Sequence, residues 1–265
     1  MQQPALYPSR TVASDTDLIG AYLPVPGYGV LPVNSFLIRG AQPTLVDTNM
    51  AGGRDEFLRS LRALIDPREI RWIWLTHTDP DHVGNLAAVL AEAPRARLVT
   101  SYLGMGKLGL LGLPVDRAYL INPGQSLDVG DRKLLALQPP TFDAPETAGL
   151  LDERTGTLFS ADSFGALMEG PAEAADAIPP AALAGGMVTW ATVDAPWLDL
   201  LDERRHDTAL EAVRRVAPTS ILSGHLPPAR KEMIDTLLAH LAAARRAPRF
   251  VGPDQAALEQ MMAAA

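Results

Sequence analysis

The chain contains no cysteine among its 265 residues. That absence excludes disulfides, iron–sulfur clusters, a thiolate nucleophile and thiolate-bound metal, so any metal must be held by nitrogen and oxygen. Imidazole is scarce too, with five histidines in all. No block of basic residues occurs, and Lys+Arg 23 against Asp+Glu 31 gives a net charge of −8. This argues against nucleic acid and anionic membranes as main partners and leaves small molecules or proteins. Long apolar runs are missing: the uncharged stretch from Ala177 to Val193 is broken by Pro179, Pro180, Gly185 and Gly186 and falls short of a membrane span. The opening MQQPALYPSRTVASD lacks the basic start and apolar stretch of a signal peptide, so a soluble cytoplasmic protein is expected.

What is present suits one large α/β domain over 1–265, its core at about 18–246. From Leu18 to Asp47 the pieces GAYLPVP, NSFLIRG and PTLVDT predict three strands of a meander. Gly53 to Ile65 places apolar residues at helical spacing and Pro67 closes it. In IRWIWLT, Trp72 and Trp74 share one face and Ile73 and Leu75 the other, which predicts a strand buried on both sides with the tryptophans as core. A helix (VGNLAAVLAEAP) and the strand ARLVTS follow, implying a parallel pair. LDERTGTLFSAD predicts two strands about a turn at Gly156; helices are expected at 197–216, 229–246 and 254–264, with the strand TSILSG between the first two. The recurring alternation of strand and helix suggests a layered α/β sandwich. Residues 168–195 are rich in Ala, Pro and Gly without clear period and are expected to form a loop, either a surface excursion or a lid over the site, with Trp190 and Trp197 notable in it.

The densest chemistry is LTHTDPDHVGN at 75–85. Strand alternation turns His77 and Asp79 the same way, and Asp81 and His82 follow in the turn that opens the next helix. Two adjacent pairs of ligand-type side chains suit two metal ions. A helix-capping Asp81 and a surface His82 are the bland alternative, but such a density of ligand residues favours ligation. Gly104, Gly106 and Gly109 satisfy G-x-G-x-x-G after a strand, yet the Leu- and Gly-rich text that follows does not support a dinucleotide site. His206 and His240 fall on amphipathic helices, solvated or packed.

On these residues the chain resembles the metallo-β-lactamase superfamily, whose signature is H-x-H-x-D-H. Within it the chain is most similar to the β-lactamase-like domain of flavodiiron proteins, the oxygen-binding diiron branch, which carries H-x-E-x-D-H. The resemblance spans about residues 30–230 and includes NSFLIRG with LVDT, LFSADSFGA at 158–166 and VAPTSILSGH at 216–225. It implies an α/β fold of four layers, an αββα sandwich, and two metal ions. By that resemblance His77, Asp79 and Asp143 hold the first ion, Asp81, His82 and His225 the second, and Asp162 bridges them. Two departures stand out. In FDAPETAGLLDE, Asp143 occupies the place of a family histidine, unless it only forms an Asx turn before Pro145 and that ligand is lost. Asp79 is one methylene shorter than the family glutamate.

Two divalent ions bring +4 and Asp79, Asp81, Asp143 and Asp162 bring −4, so the expected site is neutral. Zinc hydrolases of this fold keep a positive site that acidifies bound water toward about pKa 7, which a neutral site does poorly. Carboxylate oxygens suit iron or manganese better than zinc and stabilise the ferric state. Diiron oxygenases of the same fold also carry a carboxylate in place of the third histidine. The leading expectation is a binuclear non-haem iron protein that binds or activates dioxygen, or nitric oxide, as oxidase, oxygenase or sensor. Only 40 residues follow His225, against about 140 for a flavodoxin domain, so electrons are expected from a separate electron-transfer protein or from the substrate. The alternative is a metal-dependent hydrolase acting on a thioester, lactone or phosphoester through a bridging hydroxide.

Overall fold

In the computed structural model, which describes residues 4–263, the first part of the chain builds an eight-stranded sheet. Its strands are β1 (Ala5–Leu6), β2 (Arg10–Ala13), β3 (Thr16–Val25), β4 (Gly29–Ile38), β5 (Thr44–Val46), β6 (Trp72–Trp74), β7 (Arg97–Thr100) and β8 (Ala118–Leu120). They run in the order β1-β3-β4-β5-β6-β7-β8, with β2 also on β3. β3 and β4 form a long hairpin, Thr16 opposite Ile38 and Val25 opposite Gly29, whereas β5 to β8 pair in parallel. A second, six-stranded sheet follows. It comprises β9 (Ser126–Asp128), β10 (Lys133–Leu137), β11 (Gly149–Asp152), β12 (Thr157–Phe159), β13 (Ser220–Leu222) and β14 (Ala229–Arg230), with only β12 and β13 parallel. The helices are α1 (Arg54–Leu64), α2 (Pro80–Val83), α3 (Leu86–Glu92), α4 (Tyr102–Leu110), α5 (Pro180–Asp194), α6 (Glu203–Arg215), α7 (Ile234–Ala244) and α8 (Gln255–Ala263).

Three apolar layers hold this together. Leu45, Phe57, Leu61, Ile73, Val89 and Leu98 fill the space between the first sheet and α1 and α3. Leu18, Phe36, Trp72, Trp74, Leu134 and Phe159 lie between the sheets. Met187, Leu210, Ile221, Leu237 and Leu241 join the second sheet to α5, α6 and α7. This is the four-layer αββα sandwich, and β6 threads its middle: its tryptophans enter the layer between the sheets while Ile73 and Leu75 face the helices. Burying each such side chain contributes roughly 1.5–3 kcal/mol. Among the described residues no helix is long and apolar enough to cross a membrane.

Residues 168–195, expected as a loop, are mostly helix, because α5 occupies Pro180–Asp194. Leu183, Met187, Ala191 and Asp194 are buried along one face of that helix, but Ala, Gly and Val occupy its other faces too, so the sequence shows no contrasting stripe to read. The sheet starts before Leu18, with β1 and β2 paired to β3. A 3-10 turn at Leu198–Leu200 precedes α6, which Asp202 caps by accepting from the Arg204 and Arg205 amides. The stretch expected as helix from 229 opens instead with β14 and a 3-10 turn before α7. The G-x-G-x-x-G glycines lie within α4, and a side chain at Gly106 or Gly109 would meet open space.

Candidate metal centre

β6, β12 and β13 bring the site together from both sheets. His77, Asp162 and His225 each lie three residues beyond the end of one of these strands. Where β6 ends, Asp79 precedes the short α2, so Asp81 and His82 arrive within one turn. Asp143 comes from the loop between β10 and β11.

The three imidazoles are buried at 1% exposure each, and each has its Nδ1 anchored on the side away from the centre. His82 Nδ1 is 2.8 Å from Asp47 Oδ2, His225 Nδ1 is 2.7 Å from the Pro32 carbonyl and His77 Nδ1 is 3.1 Å from Thr76 Oγ1. Each ring therefore turns Nε2 inward. Asp162 receives them: Oδ1 is 3.0 Å from His82 Nε2 and 3.3 Å from His225 Nε2, and Oδ2 is 3.5 Å from His77 Nε2. Asp81 Oδ2 lies 3.5 Å from His82 Nε2 and 3.4 Å from His225 Nε2. Ligand atoms gather in two groups, Asp81, His82 and His225 on the buried side and His77, Asp79 and Asp143 on the solvent side, linked by a third group of His77, His82 and Asp162. All seven residues expected from the sequence are thus close together, with Asp162 between the groups.

The donor set fits metal ions. His77 Nε2, His82 Nε2 and Asp162 Oδ1 are buried without hydrogen-bond partners, although such atoms are normally paired. Outer hydrogen bonds that fix the far ring nitrogen are the usual support of a ligating histidine. Asp47 also accepts from the Thr76 amide at 2.8 Å and the Thr76 hydroxyl at 2.7 Å. Positive φ values at Asp47 (58°), Asn49 (56°) and Ala161 (52°) mark strained backbone around the centre.

Electrostatics show how much charge the site concentrates. Burial opposes ionisation of His225, yet the Asp162 and Asp81 carboxylates push its imidazole up to about 9. Burial likewise opposes the charge on His82, which Asp81, Asp162 and Asp47 nonetheless raise well above the usual range. Desolvation resists ionisation of Asp162, and His225, His77 and His82 override it and hold that carboxyl well below the usual range. Partial burial, with Asp79 and Asp162 nearby, raises the Asp143 carboxyl in spite of His77.

Besides Asp47, three contributors lie outside the expected set. Asp194, at the end of α5, joins Asp143 and Asp162 in a further group of ligand atoms, and burial beside those carboxylates pushes its carboxyl well up. Trp190 packs edge-on against His225 at 4.7 Å, across Gly165, where a Cβ would come within 2.8 Å of His225 Cβ. Buried Glu146 accepts from Thr78 Oγ1 at 2.6 Å and Lys107 Nζ at 2.7 Å, bracing the turn between His77 and Asp79. Asp47 and Trp190 had a local signal, the one in LVDT and the other as a tryptophan in an aperiodic stretch; Asp194 had none.

Residues 31–182 match the model of the ODP family beta lactamase. A protein of Thermosynechococcus vestitus provisionally named diflavin flavoprotein A 1 is 37% identical over 135 residues, covering 50% of this chain and 24% of that protein. A flavo-diiron protein of Clostridium acetobutylicum is 28% identical over 136 residues, covering 50% and 34%. The match therefore spans well under two thirds of either relative's length. The solved rubredoxin oxygen:oxidoreductase of Desulfovibrio gigas superposes with a TM-score of 0.80 at 20% identity over 91% of this chain and 62% of that one, a likeness of fold.

Proposed function

Because this chain belongs to the ODP family of β-lactamase-like proteins, we propose that it holds two iron ions and reduces or activates dioxygen or nitric oxide with electrons from a redox partner. The observation that carries this reading is the inward convergence of three imidazole Nε2 atoms on Asp162, with unpaired buried atoms at the centre. His77, Asp79 and Asp143 hold one ion and Asp81, His82 and His225 the other, with Asp162 shared between them. Ferrous ions bound there supply the one-electron steps that reduction of either gas requires.

The chain's own residues set the conditions. Asp47 and the Pro32 carbonyl keep His82 and His225 protonated on Nδ1, so that each presents a lone pair inward. Trp190 covers His225. Asp79 is half-buried and Asp143 exposed, which leaves the first group reachable by a small molecule. The carboxylate share of the donor set favours iron or manganese over zinc and counteracts the positive field that a hydrolytic site uses to acidify water. The relatives' names, diflavin flavoprotein and flavo-diiron protein, support a flavin-bearing electron source.

Anaerobic loading with ferrous iron, metal analysis, near-ultraviolet absorption and gas uptake with a reductant test the reading. Two irons per chain, a ferric charge-transfer band after oxidation and consumption of dioxygen or nitric oxide are expected. Zinc alone in protein from its native host, no gas chemistry after iron loading, and zinc-dependent turnover of a thioester, lactone or phosphoester would refute it in favour of a hydrolase.

A further inference from the structure

The last turn of α5 delivers a carboxylate to the centre. Asp194 is 6% exposed, and one of its oxygens lies within 4.8 Å of carboxylate oxygens of Asp143 and Asp162. Its Oδ2 is buried with no hydrogen-bond partner. Two indoles hold it there. Trp190, one turn earlier, donates Nε1 to the Asp162 carbonyl at 3.2 Å. Trp197, just beyond the helix, donates Nε1 to the carbonyl of Phe142, next to Asp143, at 2.9 Å and packs on the Phe142 ring at 5.1 Å. The end of α5 is thereby tied to the loop of Asp162 and to the loop of Asp143, with Asp194 between.

Without a cation this placement is adverse. A carboxylate at a helix C-terminus meets the negative end of the helix dipole, and α5 has no basic residue in its last turn. Two more carboxylates, the buried Asp162 and the exposed Asp143, lie close by, and like charges at such range repel. A metal ion beside Asp143 relieves both conflicts at once.

We propose that Asp194 is a further carboxylate ligand of the centre, on the Asp143 side of Asp162. The assignment rests on the binuclear reading above. Five carboxylates then face two ions: a divalent pair leaves a net charge of −1 and one trivalent ion restores neutrality, so Asp194 favours the oxidised centre.

Anaerobic calorimetric titration with ferrous iron, and thermal melting with and without the metal, are compared for wild type, Asp194→Asn and Asp194→Ser. Wild type is expected to take two ions per chain. Both variants are expected to bind with one site weakened about tenfold or more and with a smaller metal-induced rise in melting temperature. The metal-free Asp194→Asn protein should be no less stable than wild type, since the amide fills the same space without bringing a charge into it. A structural role alone would instead lower metal-free stability and leave the metal-induced rise unmoved. If wild type binds two ions and both variants keep its affinities and its rise, the Asp194 assignment fails alone. If wild type binds fewer than two, the binuclear reading fails and takes this assignment with it.

Discussion

Replacing Asp47 by asparagine should move a proton on His82. Asp47 Oδ1 accepts from the Thr76 amide at 2.8 Å, and Oδ2 faces both the Thr76 hydroxyl at 2.7 Å and His82 Nδ1 at 2.8 Å. In Asp47→Asn the new side chain must keep its oxygen on the Thr76 N–H, because the reverse orientation sets two donors face to face and leaves a buried amide unpaired, at about 1–3 kcal/mol. The asparagine NH₂ then stands where Oδ2 was and donates to His82 Nδ1. His82 must carry its proton on Nε2, the atom 3.0 Å from Asp162 Oδ1, and that atom can no longer ligate. An outer-partner change of this kind weakens metal binding by about 10–100-fold, or roughly 1.4–2.8 kcal/mol. Metal-free stability should fall less, by about 1 kcal/mol, as charge-assisted hydrogen bonds become neutral ones. Anaerobic titration with ferrous iron resolves the two sites, and urea unfolding of the metal-free protein gives the control. Wild-type affinity at the site of His82 in Asp47→Asn, or equal weakening of both sites, would refute the tautomer argument.

Three further outcomes can be checked away from His82. Arg132 is buried against Asp152 at 2.9 Å and Asp15 at 2.7 Å, so Arg132→Met strands a buried carboxylate and should lower the unfolding free energy by about 3–5 kcal/mol in urea. A hydrogen bond from Arg132 also holds the Asp131 carboxyl down at about 2, from an ordinary 3.8. A lowered folded-state value adds stability that is complete above the free value and lost as pH falls through the folded one, so the urea midpoint should decline from pH 3.8 toward 2, and less steeply in Arg132→Met. A Cβ at residue 165 would lie 2.4 Å from Trp190 Nε1. Gly165→Ala should therefore push the indole off His225, cost about 1–3 kcal/mol in thermal unfolding and shift tryptophan emission; unchanged emission with unchanged stability would contradict the contact.

Legibility in this chain follows the distance over which a pattern is written. Alternation in IRWIWLT places β6 and its two buried faces, and the turn after it carries four ligand-type residues within six positions, so half of the centre is readable locally. Asp162 and His225 stand at strand ends that only landmark order connects to that turn, because β12 and β13 meet β6 across two sheets. α5 is unreadable for a physical reason. Its own residues are apolar or small on the exposed face as well as the buried one, so no stripe emerges, and Pro179–Pro180 looks like a break, although a proline is well tolerated in the first turn of a helix. Asp194 is hidden with it. Asp47 sits in a visible strand end, but its role depends on His82, 35 residues away.

The position of α5 also makes the two halves of the centre unlike. On the proposed assignment the buried ion has two imidazoles, His82 and His225, with Asp81, whereas the ion facing solvent has one, His77, among Asp79, Asp143 and Asp194. Anionic oxygen donors stabilise the higher oxidation state more than neutral nitrogen donors do. On that assignment the solvent-facing ion would be the easier of the two to oxidise, and an incoming molecule would meet it first, because Asp143 is exposed while His82 and His225 are closed off at 1% exposure. A hydrolytic centre would gain nothing from this asymmetry, since it works by keeping positive charge at the open metal to acidify water. A centre that hands electrons to a small gas would gain directly, because the carboxylate-rich half of the donor set lies at the entrance.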